Sequence, residues 1–148
     1  MMIRIVPMAK EHIASLAQLE RECFADPWSE KALEDELSNP NAVFRVALLD
    51  GQVAGYVGML HVLDEGDICN VAVFDSFRRQ GVATALIQTL LDYGVEKKLS
   101  FITLEVRESN VGAQAFYETM GFRAIGLRKN FYDHPKEHAV LMNRYFDE

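Results

Sequence analysis

The chain opens on an alternation of apolar and polar side chains. Ile3–Pro7 (IRIVP) follows the period of a half-buried strand, and Pro7, with no N–H for a ladder, ends it. From Lys10 to Phe24 the period lengthens: Ile13, Leu16, Ala17 and Cys23 share one helical face and Glu11, Gln18 and Glu22 lie off it, which predicts an amphipathic helix. The segment Phe24–Ala25–Asp26–Pro27–Trp28–Ser29 breaks that helix and leaves Trp28 exposed. Ser29, with Glu30 in the first turn, begins a second short helix running to Leu37.

Ala42–Leu49 and Gln52–Val62 are β-rich runs joined by Asp50–Gly51, a two-residue hairpin signal. Asp67–Val73, entered through a turn at Glu65–Gly66–Asp67, makes a third strand of the same meander. After a loop at Phe74–Phe77, the helix Val82–Lys98 aligns Val82, Leu86 and Leu90 on one row and Ala83, Ile87, Leu91 and Val95 on the next. Phe101–Val106 is a strand with Ile102, Leu104 and Val106 on one face, which puts Glu105 on the other. Asn110 is placed to N-cap a helix to Met120, striped by Ala113, Phe116, Tyr117 and Met120, with Gly121 at its C-terminal turn. A strand from Phe122 to Phe131, a polar turn at Asp133–Glu137 and a strand His138–Arg144 close the chain.

The order β-α-α-β-β-β-α-β-α-β-β gives an α+β class, with a mixed sheet of about seven strands flanked by about four helices. Its β-helix-β unit requires a right-handed crossover between parallel strands. At 148 residues the expectation is one domain spanning 1–148.

Composition narrows the function classes. Hydrophobic residues at 49% and charged residues at 25% suit a folded globular chain. No apolar run approaches the roughly 18 residues of a membrane span, and no signal-type segment opens the chain, so a cytoplasmic protein is expected. The net charge of −7 argues against direct nucleic-acid binding and leans toward cationic partners such as basic peptides or polyamines. Cys23 and Cys69 stand far apart among apolar neighbours and are expected to be buried free thiols. His12, His61, His134 and His138 are isolated, so no metal site is expected.

The stretch Arg78–Leu90 (RRQGVATALIQTL) sets Gly81 and two arginines where a helix begins. Open N–H groups and the helix dipole there attract an anion, although an ordinary loop-to-helix junction has the same look. Taken together, Val71–Ala72–Val73, Arg78–Arg79–Gln80–Gly81–Val82–Ala83, Asn110 and Tyr117 ahead of Gly121–Phe122 resemble the acetyl-CoA signature of the GCN5-related N-acetyltransferase (GNAT) superfamily. The resemblance covers nearly the whole chain. Four stretches are most similar to the bacterial RimI type, which acetylates the N-terminal alanine of small-subunit ribosomal protein eighteen. They are Ala25–Lys31 (ADPWSEK), Leu104–Asn110 (LEVRESN), Phe116–Phe122 (FYETMGF) and Arg128–Tyr132 (RKNFY).

The resemblance implies acetyl-CoA as donor cosubstrate, the N-terminus of a basic ribosomal protein as acceptor, and direct attack in a ternary complex. The backbone of Val71, Ala72 and Val73 would pair with the pantetheine arm, and the N–H groups of Arg79, Gln80, Gly81, Val82, Ala83 and Thr84 would cradle the pyrophosphate. Ala83 stands where the motif often has glycine. Asn110 would touch the cofactor arm, N-capping being its other reading. A peptide α-amine, with a pKa of about 7.7–8.0, needs a base, and the resemblance assigns Glu105, which otherwise reads as an exposed strand glutamate. The departing thiolate needs a proton, assigned to Tyr117, whose bland reading is a core tyrosine. Trp28, Phe131 and Tyr132 would wall the acceptor groove, or else be scattered core aromatics. Two rivals stand beside this reading: an acetyltransferase acting on internal lysines, polyamines or another small amine, and an acyl-CoA-binding module without turnover. Oligomeric state does not follow from the sequence.

Overall fold

The computed structural model describes residues 2–146. Strand β1 (Ile3–Pro7) pairs antiparallel with β2 (Ala42–Leu49), and the Asp50–Gly51 turn, both residues at positive φ, folds β2 back on β3 (Gln52–Val62). Between β1 and β2 run a 3₁₀ turn at Lys10–His12, helix α1 (Ile13–Cys23) and helix α2 (Glu30–Glu36), whose first turn is capped by Ser29 Oγ accepting from the Ala32 N–H at 3.0 Å. Strand β4 (Glu65–Val73) completes the meander against β3. Helix α3 (Val82–Glu96) crosses to β5 (Phe101–Arg107), and α4 (Val111–Thr119) leads into the hairpin of β6 (Arg123–Asp133) and β7 (Lys136–Tyr145). The seven strands lie in the order β1-β2-β3-β4-β5-β7-β6, with β4 and β5 parallel and every other pair antiparallel. This is the mixed α+β sheet expected from the pattern.

Alternation along the strands divides the interior into two layers. Tyr56 and Phe44 pack with Leu16, Leu19 and Leu33 beneath α1 and α2. Val57, Met59, Ile102 and Leu104 pack with Leu86, Ile87, Leu90 and Tyr117 beneath α3 and α4. The register of β4 against β3 slips between Gly58 and Met59, so β4 carries a bulge at Cys69. The bulge exchanges faces: Ile68 joins the α3 layer, while Asn70 and Ala72 turn toward α1.

Several expectations need correction. The turn into β4 is at Leu63–Asp64, and Gly66 lies within the strand, where a side chain would come within 2.7 Å of Met59 Sδ. Neither cysteine is buried; both are free, Cys23 half-buried and Cys69 exposed, because the bulge rotates Cys69 out of both layers. Trp28 is half-buried instead of exposed, its ring tilted against Phe44 with centroids 6.1 Å apart. The final polar turn contracts to His134–Pro135 because β6 and β7 extend toward each other.

Candidate active site

The sheet forks where β4 meets β5. Their parallel pairing covers Glu65–Phe101, Gly66–Ile102 and Asp67–Thr103 and goes no further among the described residues. Beyond it Val71, Ala72 and Val73 pair only with β3, through Val57, Tyr56 and Gly55, while Glu105 and Val106 pair with β7. The backbone of Val71–Val73 therefore presents an edge to the fork.

At the far end of that edge stands the N-terminus of α3. Gly81 is its N-cap, at φ 83°, and no side chain caps the helix, which leaves its first N–H groups open. Arg79 also lies at positive φ, 62°, so the loop turns sharply just ahead of the helix. A cavity of about 220 Å³ opens there, lined by Val73, Phe77, Arg78, Arg79, Gly81, Val82, Ala83, Thr84 and Phe116. Nothing lies within 4 Å of the position a Gly81 side chain would take, so the glycine fronts open space. Arg78 is tied down, to Asp75 at 3.3 Å and to the Val73 carbonyl at 3.4 Å, and Gln80 donates to the Ser76 carbonyl at 3.2 Å. Uncapped N–H groups facing space on a dipole-positive helix end fit a pyrophosphate.

Glu105 projects from β5 on the face away from the α3 layer, with its side chain 15% exposed. Arg128 of β6 holds it, Nε to Oε1 at 3.3 Å. Burial raises the Glu105 pKa, the negative charge of Asp67 adds to the rise, and Arg128 works against both. Tyr117 lies on the inner stripe of α4, between Phe116 and Phe122 with ring centroids 5.3 and 5.7 Å away. Its phenol is pushed up to about 12, chiefly by burial and secondly by Tyr132, so it stays protonated near neutrality. Tyr132 in turn feels the charge of Glu105 and carries the Arg107 guanidinium 4.3 Å above its ring. The three side chains thus occupy one electrostatic neighbourhood at the fork.

Asn110 serves as the α4 N-cap, its Oδ1 accepting from the Ala113 N–H at 3.1 Å. Phe131 is 46% exposed and stands edge-on to Tyr132, with centroids 5.0 Å apart. On the opposite side, the Trp28 N–H donates to Glu20 Oε1 at 2.9 Å, and Tyr56 Oη donates to Glu20 Oε2 at 2.7 Å. The α1–α2 connection and the β6–β7 turn meet where His134 Nδ1 lies 2.8 Å from Asp26 Oδ2. Among the described residues no cluster of three or more His, Cys, Asp or Glu side chains could hold a metal ion.

Residues 13–122 match the model of the Acetyltransferase (GNAT) family. The chain belongs to this family of N-acetyltransferases. The [Ribosomal protein bS18]-alanine N-acetyltransferase of Escherichia coli K12 is 33% identical to this GNAT chain over 126 residues, 84% of each protein. The crystal structure of the ribosomal-protein-S18-alanine N-acetyltransferase from Escherichia coli superimposes with a TM-score of 0.90 at 29% identity, covering 99% of this chain and 96% of that one. Arabidopsis thaliana NAA60, solved in complex with acetyl-CoA, shares the GNAT fold with a TM-score of 0.88 at 20% identity, over 98% and 100% of the two chains. Arg128, Phe131 and Tyr132 lie beyond the residues the family model matches, on the hairpin whose turn meets the α1–α2 connection.

Three parts of the site escaped the sequence reading. Buried Glu20 looks like any polar residue flanking an apolar stripe, and its partners Trp28, Tyr56 and Asn70, up to 50 positions away, explain it. Asp67 becomes a neighbour of Glu105 only through the strand register. His134, read as isolated, finds Asp26 across 108 positions of sequence.

Proposed function

We propose that this GNAT enzyme transfers the acetyl group of acetyl-CoA to the N-terminal alanine amine of ribosomal protein bS18, as its Escherichia coli relative is named for doing. The supporting observation is the convergence of Glu105, Tyr132 and Tyr117 at the fork, beside the open N-terminus of α3. Acetyl-CoA supplies an acyl group activated as a thioester. The N–H groups from Arg79 to Thr84 hold its pyrophosphate, and the Val71–Val73 edge pairs with its pantetheine arm.

Glu105 receives the proton that the acceptor ammonium must lose before it can attack, directly or through a water molecule. Its raised pKa makes it a stronger base than an exposed glutamate. Tyr117, protonated at that pH, donates to the departing sulfur. Trp28 and the Phe131–Tyr132 pair flank the approach of the peptide, and the acidic surface favours a basic acceptor.

The test is an assay with acetyl-CoA and two peptides: one bearing the free bS18 N-terminus, the other the same sequence with a blocked α-amine and a lysine. Acetylation of the first alone supports the assignment. Equal acetylation of the second would move the acceptor to internal lysines, and tight coenzyme binding without product on any amine would make the chain a non-catalytic acyl-CoA module.

A further inference from the structure

Asp67 is the last β4 residue paired to β5, at the point where the two strands part. It stands opposite Thr103, and Glu105, two residues further along β5, is the next side chain on the same face. The bulge at Cys69 gives this placement a consequence. Past it, Val71 and Val73 turn to the α3 layer, so Asp67 is the carboxylate that β4 presents to Glu105. Arg128, reaching across β7 from β6, is the cation common to both, pairing Glu105 at 3.3 Å and acting on Asp67.

We propose that Asp67 is a positioning residue of the acceptor site, a carboxylate at the fork that, opposed by Arg128, governs the protonation of Glu105. The proposal rests on the reading of Glu105 as the base. A second negative charge makes Glu105 hold a proton more tightly, so the amine's proton finds a better acceptor; the guanidinium opposes that rise. Charged groups face Glu105 from several elements, and Arg107, two residues on along the same face of β5, is tied to Glu137 of β7 at 3.1 Å. β4 supplies Asp67 and β6 supplies Arg128 and Tyr132, while Glu20 of α1 and Glu36 of α2 act at Cys69, beyond Asp67. Burial moves both half-buried Glu105 and the more exposed Asp67 upward, and Arg128 draws both back down.

The experiment reads Glu105 itself, by its side-chain carboxyl ¹³C shift during a pH titration of the full chain, with Glu105→Gln identifying the signal. In Asp67→Asn the midpoint should fall by about half a unit to one unit, and in Arg128→Gln it should rise. Asp67→Glu should keep it near wild type. The step from first- to second-order proton inhibition of kcat/KM for the peptide should move with the midpoint, while KM for acetyl-CoA stays put. An unchanged midpoint in Asp67→Asn overturns the proposal and leaves the base assignment standing. Wild-type turnover by Glu105→Gln would overturn both, and it is scored separately.

Discussion

Tyr56 Oη donates a 2.7 Å hydrogen bond to Glu20 Oε2 in the interior beneath α1, joining helix to sheet through a carboxylate that is 1% exposed. The other oxygen of Glu20 accepts from the Trp28 N–H, so one buried side chain fixes both the core strand β3 and the loop that carries Trp28. Glu20→Ala leaves the Tyr56 hydroxyl and the Trp28 N–H without that acceptor. A loss of about 2–4 kcal/mol in unfolding free energy is expected, measured by urea denaturation. KM for the peptide should rise more than KM for acetyl-CoA, because the loosened loop carries Trp28.

Gly81→Ala separates coenzyme binding from stability. The left-handed backbone disfavours any side chain by about 1–2 kcal/mol, yet no protein atom within 4 Å obstructs the methyl group. It would project from the concavity where the phosphates are to sit. Acetyl-CoA affinity, measured by calorimetry, should fall at least about tenfold, beyond what a modest drop in Tm accounts for.

Tyr117→Phe removes a hydroxyl and keeps the ring between Phe116 and Phe122. The expected result is a kcat lower by about 10²-fold with acetyl-CoA binding retained. Full turnover at every pH would return Tyr117 to the role of a core tyrosine.

The His134–Asp26 contact has a pH sign. Its hydrogen bond and the Asp26 charge raise the His134 pKa above the ordinary 6.5. The contact is fully made below the unfolded-state pKa and is lost as pH rises through the folded one. An NMR titration should find the His134 midpoint above 6.5 in the wild type and near that value in Asp26→Asn. Since both side chains are solvent-exposed, global stability should hardly respond, and any effect should fall on the peptide KM.

Sequence pattern carried the fold well for a physical reason. The Asp50–Gly51 hairpin, the Ser29 and Asn110 caps and the stripes of α1 and α3 are local devices, each written in neighbouring residues. The open helix end at Gly81 is local too, and its position was plain. What stayed hidden depends on pairing between distant strands. The Cys69 bulge decides which side chains of β4 meet Glu105, and no residue type near it announces an extra position. Trp28 was misjudged because its exposure is set by Phe44, on a strand elsewhere in the chain. Charges that act on Glu105 come from β4 and β6, so its environment became visible only with the sheet assembled.

Acetylation of the bS18 α-amine by this GNAT enzyme, with Glu105 as the base, is open to a direct test in cells. Intact-mass and peptide mass spectrometry of bS18 from cells lacking the gene, and from the same cells carrying wild-type or Glu105→Gln protein, tests it most directly. Expected are a free N-terminal alanine without the gene, acetylation restored by the wild type, and at least about a tenfold deficit in acetylation rate for purified Glu105→Gln. A bS18 N-terminus acetylated equally in all three strains would contradict it.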